Sequence, residues 1–294
     1  MADEGDRAAL TIAGMGMLWG SIGVVVRQVE LPAVAVVWSR LVFALPVLAW
    51  FVLRRQGRVL RRPSGMLFAN GAILALHWAA FVAALQRAPI GTVLLITYLA
   101  PVGIAALAPK VLGEQVTRNV ILAIALGVGG VALIALPSLD GSSADGVALA
   151  VVTGIAYIAL ALLNKRLADE IGGTELALWQ MLIACALLSP VAAFADWGGP
   201  TGSWLWLPVL GCVYTAFGFG LYLTALEKVD ASRAVVLLYL EPASAIAFGW
   251  VFLDERPSAL TVVGGLAIVV AGLLVLRSPS SEVVAVTPPT AGSA

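Results

Sequence analysis

The chain has 294 residues, 61% of them hydrophobic and 12% charged, with a mean hydropathy of +1.00 and a formal net charge of +0. A soluble domain carries roughly a quarter charged residues to solvate its surface, so this surface has to meet something apolar. The balanced charge lacks the basic footprint of a nucleic-acid binder, and Cys185 and Cys212, both within apolar runs, read as small buried hydrophobes, not as a disulfide or a metal site.

The first seven residues are acidic, where a secretory signal would be basic, so the first apolar run reads as a retained helix. A helix crosses a bilayer in roughly 20 apolar residues. On that measure the hydropathy predicts ten spans near 9–29, 33–53, 66–86, 90–110, 118–136, 146–165, 175–195, 204–226, 232–252 and 258–276. Breakers separate them, among them Arg54 to Ser64, Ala88-Pro89, Gly113 to Arg118, Pro137 to Gly146 and Asp254 to Pro257. The runs are too long and continuous for the alternating strands of a β-barrel. Residues 278–294 carry Pro, Ser and Thr without helical period and read as a disordered cytoplasmic tail.

Lysine and arginine set the orientation. With the N-terminus cytoplasmic, thirteen basic residues fall inside: Arg7, Arg54, Arg55, Arg58, Arg61, Arg62, Lys110, Arg118, Lys165, Arg166, Lys228, Arg233 and Arg277. Three, Arg27, Arg87 and Arg256, fall outside, and Arg40 lies within a span. The bias predicts a multi-pass protein of the cytoplasmic (inner) membrane with both termini cytoplasmic.

Shifted by 141 positions, the sequence aligns with itself. Tyr98-Leu99-Ala100-Pro101 meets Tyr239-Leu240-Glu241-Pro242, Leu112-Gly113-Glu114 meets Leu253-Asp254-Glu255, and Trp38 meets Trp179. Residues 81–115 and 222–256 share 8 identities in 35 without a gap. Five helices is an odd number, so the second unit enters the membrane from the opposite side, an arrangement common in secondary transporters. The expected fold is an all-α membrane protein of ten transmembrane helices in two inverted five-helix repeats. These occupy 9–136 and 146–277, joined by an external linker at 137–145.

The segments YLAPVGIAALAPKVLGEQVT and YLEPASAIAFGWVFLDERPS each resemble the helix-Pro-helix-Glu pattern of the EamA repeat, and LWGSIGVVVRQ with WSRLVFALPVLA resembles its opening helices. The resemblance runs over roughly 9–277. It implies the drug/metabolite transporter superfamily, and within it the aromatic content looks most like bacterial YddG-type exporters of aromatic amino acids.

Several polar rings fall near mid-span: Trp19, His77, Trp78, Tyr98, Tyr157, Tyr214 and Tyr239. Tyr and Trp ordinarily favour the interfaces, as Trp50, Trp197, Trp204, Trp206 and Trp250 do by position. A buried hydroxyl or indole N–H without a partner costs on the order of 1–3 kcal/mol, so the central set should face protein or a wet cavity. One reading is a substrate-binding cavity in which flat solutes stack; the other is plain core packing. His77, the only histidine, suits a substrate hydrogen bond or a proton step, or else an interhelical bond. Glu241 is the only acid deep in a span, in a coupling or a structural role, with Arg40 as its partner or as a carboxylate site. Pro101 and Pro242 remove helix bonds at matching positions and act as hinges or fixed bends.

These observations predict a secondary transporter that exports aromatic and other apolar amino acids by alternating access. The alternative is an EamA-type exporter of other metabolites or flat cationic drugs. No Walker motif, catalytic group or metal-ligand set appears in the sequence, so it predicts no enzyme and no cofactor. The expected partners are small-molecule amino acids and membrane lipid, without nucleic acid, in a monomer or a weak homodimer.

Overall fold

The computed structural model describes residues 4–26, 28–56, 64–85, 87–136, 143–254 and 256–277. Arg27, Arg58, Arg61, Arg62, Glu255, most of the 137–145 linker and the 278–294 tail lie outside the described residues. Among the described residues, ten helices are long and apolar enough to cross a membrane. They are α1 Glu4–Val26, α2 Ala33–Arg54, α3 Gly65–Leu85, α4 Thr92–Val111, α5 Arg118–Ala135, α6 Ala144–Ile171, α7 Gly173–Ala193, α8 Gly202–Leu226, α9 Ala231–Leu253 and α10 Ala259–Leu276. No strand occurs among the described residues. Large apolar side chains such as Leu205, Val251, Phe252 and Leu266 are exposed around the outside, where a hydrocarbon solvent suits them.

Side-chain caps fix several helix starts. The hydroxyls of Thr117, Ser143 and Ser258 accept from the backbone N–H of Val120, Gly146 and Thr261, opening α5, α6 and α10. Two helices outrun the apolar spans. α1 begins at Glu4, within the acidic leader. α6 continues past 165 to Ile171 because its charges pair along the helix, Lys165 with Asp169 at 3.0 Å and Arg166 with Glu170 at 3.4 Å.

Several of the main helix contacts recur when the two halves are exchanged. α5 lies along α10, and α2 along α7, each helix against its own counterpart. The α2–α8 contact is matched by α7–α3, and α4–α6 by α9–α1. Between α5 and α10 the backbones touch at Gly130 and Gly264. A Cβ on Gly130 would stand 2.6 Å from the Gly264 oxygen, and one on Gly264 2.5 Å from the Gly130 oxygen. Such small-residue seams let helices pack by van der Waals contact where lipid supplies no hydrophobic drive. A buried amide set adds polar glue: the Asn70 and Gln180 side chains both donate to Asn164 Oδ1, at 2.9 and 3.2 Å, joining α3, α6 and α7.

Two ion pairs repeat the 141-residue offset. Arg87 meets Asp145 at 3.3 Å, and Lys228 meets Glu4 at 3.5 Å. Each joins the turn after one half's third helix to the start of the other half's first helix. Both are exposed, and such pairs are worth about 0–1 kcal/mol, so they report geometry more than stability.

A stronger tie crosses between the halves at Glu114, in the α4–α5 connection. Its carboxylate accepts from the Ala231 N–H at 2.6 Å and from the Ser232 N–H and Oγ, both at 3.2 Å, capping α9. Burial raises the Glu114 carboxyl above its ordinary value, opposed by the two backbone N–H bonds. The folded chain therefore holds this proton more firmly than the unfolded chain. That stabilising contribution is complete at low pH and is lost as pH rises through the raised value. Glu114→Ala should cost about 0.5–2 kcal/mol, as loss of a helix cap does, and Glu114→Gln, which keeps an acceptor, less. Thermal unfolding in detergent across pH reads both effects. The Gln variant should also lose this pH dependence, and an Ala variant as stable as the parent would remove the capping role.

Candidate functional site

The site forms where α4 and α9 are interrupted. The helix Ile90–Thr97, which opens α4, ends before the helix Ala100–Val111 that completes it, and α9 consists of Ala231–Leu237 and Leu240–Leu253. Pro101 and Pro242 sit just past these breaks. Neither has an N–H to continue the ladder, and the chain tightens locally: Val102 N bonds Leu99 O at 3.0 Å and Glu241 N bonds Leu238 O at 3.0 Å. With Val102 turned to Leu99, the Tyr98 carbonyl loses its usual helical donor. The Tyr239 hydroxyl fills it at 2.8 Å. Tyr98 and Tyr239 occupy the same position in the two repeats. Their rings stack with centroids 5.7 Å apart and 28° between planes. Tyr239 is fully buried, its ring lying against Gly127 of α5, where a Cβ would come within 2.5 Å of the ring.

Two charges flank this junction. Arg40 on α2 donates from Nε to Thr215 Oγ1 at 3.1 Å, and its guanidinium lies 5.1 Å from the Trp78 ring centroid. Thr215 donates in turn to the Leu210 carbonyl at 2.9 Å, five residues back, within the wide helical turns of Val209–Phe219 in α8. Wide turns of this kind are rare and concentrate at functional sites. Glu241 lies in the first turn of the second α9 segment, two residues past Tyr239. The two charges form no ion pair with each other.

His77 on α3 bonds the Thr153 carbonyl at 3.1 Å through Nδ1. A carbonyl only accepts, so Nδ1 carries the hydrogen and neutral His77 keeps Nε2 as an acceptor. Its ring lies 5.5 Å from Tyr157 and 6.4 Å from Phe81. Tyr157 on α6 also packs against the cluster of Ala100, Ile104 and Ala161, just past the α4 break. Trp19 on α1 sits edge-on to Tyr222 at 5.6 Å, and its indole N–H goes to the Tyr214 carbonyl at 3.0 Å. Tyr214 itself is buried in the apolar cluster of Val36, Leu207 and Leu210, and its hydroxyl bonds Ser21 Oγ at 2.7 Å. The structure thus brings Arg40 to Trp78, Tyr98 to Tyr239, and His77 to Tyr157, with Glu241 in the turn after Tyr239. Trp19 packs against the apolar cluster that holds Tyr214.

Sequence reading missed Tyr222, Phe219 and Thr215. The signal for the rings was in the repeat: Tyr222 is the counterpart of Phe81, and Phe219 of Trp78. A separate cleft of about 550 Å³ lies at the C-terminal end of α7, lined by Trp38, Ser189, Ala192, Ala193, Trp197 and Trp204. None of the central residues lines it.

Ten apolar helices with charges and polar rings gathered in the interior define a multi-pass membrane protein of the transporter kind. The chain belongs to the EamA-like transporter family, whose family model matches twice, over residues 6–136 and 144–277. An uncharacterized transporter of Archaeoglobus fulgidus is 31% identical over 121 residues, covering 41% of this chain and 42% of that protein. The alignment thus spans less than half the length of this relative. A protein of known crystal structure shares the fold at a TM-score of 0.81 and 18% identity, over 91% of this chain and 96% of the other.

Tyr239→Phe keeps the ring and deletes the bond to the Tyr98 carbonyl. Leaving that buried acceptor open should cost about 1–3 kcal/mol, read as a lower midpoint of thermal unfolding in detergent. An unchanged midpoint would show that the carbonyl finds another donor.

Proposed function

We propose that the chain is a secondary transporter that exports aromatic and other apolar amino acids by alternating access through a central aromatic-lined cavity. It works in the cytoplasmic membrane, with both termini inside. One observation carries the reading: helices of both halves bring stackable rings, a cation and an anion together at the α4 and α9 breaks, deep in a helical bundle. Polar and ionisable groups in that position are costly and mark solute pathways.

Inverted repeats supply the motion. If the halves are oppositely oriented, the Arg87–Asp145 and Lys228–Glu4 pairs close opposite faces, and one half's closed shape is the other's open shape. Pro101 and Pro242 stand at the hinges. Trp19, His77, Trp78, Tyr98 and Tyr157 face the solute, and Tyr214 and Tyr239 hold the wall behind them. The basic excess in one set of loops sets the orientation. A second reading, export of flat cationic compounds, draws on Glu241, whose carboxylate forms no ion pair among the described residues.

Purified protein in liposomes should show saturable phenylalanine flux. Stacking contacts are worth about 0.5–1.5 kcal/mol, so Trp78→Ala and Tyr98→Ala should each raise KM about 2- to 10-fold. Competition by the twenty amino acids and by a cationic dye separates the two readings. Absence of saturable flux of any amino acid, with folded protein, would overturn the first.

A further inference from the structure

We propose that the cleft at the C-terminal end of α7 binds a flat, uncharged aromatic ring that enters from the lipid side, apart from the central residues. This goes beyond the transport reading above and stands without it. Three indoles wall the cleft. Trp197 meets Trp38 edge-on, with centroids 5.7 Å apart and 78° between planes, and stacks on Trp204 at 5.9 Å and 27°. Ser189, Ala192 and Ala193 complete the lining. The space of about 550 Å³ falls within the roughly 300–1,000 Å³ usual for a small-molecule pocket. Its rim is apolar and open: Trp204 is 42% exposed, and Phe194, next to Ala193, is 92% exposed. The repeat makes this space particular to one half. At the 141-residue offset Ala192 and Ala193 correspond to Phe51 and Val52, and Ser189 to Leu48. Two methyl groups therefore stand where the first half carries a phenyl ring and an isopropyl group, and the difference in bulk is about that of the ring proposed.

The lining chooses the ligand class. The Trp38 indole donates to Ser189 Oγ at 3.0 Å, Ser189 donates on to the Cys185 carbonyl at 2.7 Å, and the Trp197 indole donates to the Ala192 carbonyl at 3.0 Å. These bonds lock the walls in place and use up their polar groups. Apart from the exposed Trp204 indole, a ligand meets only ring faces and methyl groups. No charged side chain lines the cleft, so an ion would be desolvated there without a counter-charge. A lipid acyl chain gains little by moving in, because lipid tails are already as apolar as the side chains they would meet. An aromatic ring gains edge-on and stacked partners that hydrocarbon does not offer, an attraction beyond burial. The occupant that profits is therefore a neutral aromatic group already dissolved in the membrane.

The test is fluorine NMR of 5-fluoroindole with the full chain in lipid nanodiscs, against empty nanodiscs of the same lipid. Broadening beyond that of the empty discs should saturate, and unlabelled indole should reverse it. Trp204→Ala removes one ring partner and should weaken binding about 2- to 10-fold. Ala192→Phe combined with Ala193→Val, the residues of the other half, should fill the cleft and abolish saturable binding. Trp78→Ala, which alters the central residues instead, should leave binding unchanged. No saturable broadening in the parent, or undiminished binding in both cleft variants, would overturn the proposal. Loss of binding on Trp78→Ala alone would put the ring at the central residues and overturn it as well. Displacement by choline or by cyclohexanol as effective as by indole would contradict selection for a neutral aromatic ring. Should the filled variant fail to fold, Trp204→Ala, at an exposed helix start, decides.

Discussion

The bond from the Tyr239 hydroxyl to the Tyr98 carbonyl is the point on which the rest of the molecule turns. In a bundle surrounded by hydrocarbon, a backbone carbonyl released from its helix has no water to accept from. Pro101 breaks the local ladder, and the counterpart tyrosine of the other half repairs it at 2.8 Å. The same contact stacks the two rings and closes on Gly127, so three helices are held at one place. The breaks in α4 and α9 exist because this junction can satisfy them.

From the junction outward, the two halves are packed into each other. α5 packs on α10 and α2 on α7, while the strongest polar tie, Glu114 to the start of α9, again crosses between halves. The exposed ion pairs at Arg87 and Lys228 are weak enough to open and close.

Much of this was legible in the sequence, for identifiable reasons. Span number follows from hydropathy because lipid leaves the chain few alternatives to helix. The repeat was legible because Tyr-Leu-x-Pro and Leu-x-Glu recur at one offset; the Tyr-Leu-x-Pro segments shape the backbone at both breaks, and Glu114 of the first Leu-x-Glu caps α9. Helix ends were less legible: charges at Lys165 and Arg166 stop an apolar window but do not stop a helix whose charges pair four residues on. Depth counted along a span does not give side-chain direction at α8. There the wide turns over Val209–Phe219 alter the rise and rotation, and Tyr214 and Tyr222 both end up in packed clusters that Trp19 adjoins. Hydrogen-bond pairing, such as Trp19 to the Tyr214 carbonyl or His77 to the Thr153 carbonyl, has no sequence signal at all.

If the halves exchange roles about the Tyr98–Tyr239 junction, the two ion-pair sites must open reciprocally. Paired spin labels at positions 4 and 228, and at 87 and 145, in protein whose Cys185 and Cys212 are replaced by serine, measure this in liposomes. The account predicts a short and a long distance for each pair, with phenylalanine shifting the two pairs in opposite senses. A single distance at each pair, or a shift of both in the same sense, would contradict it.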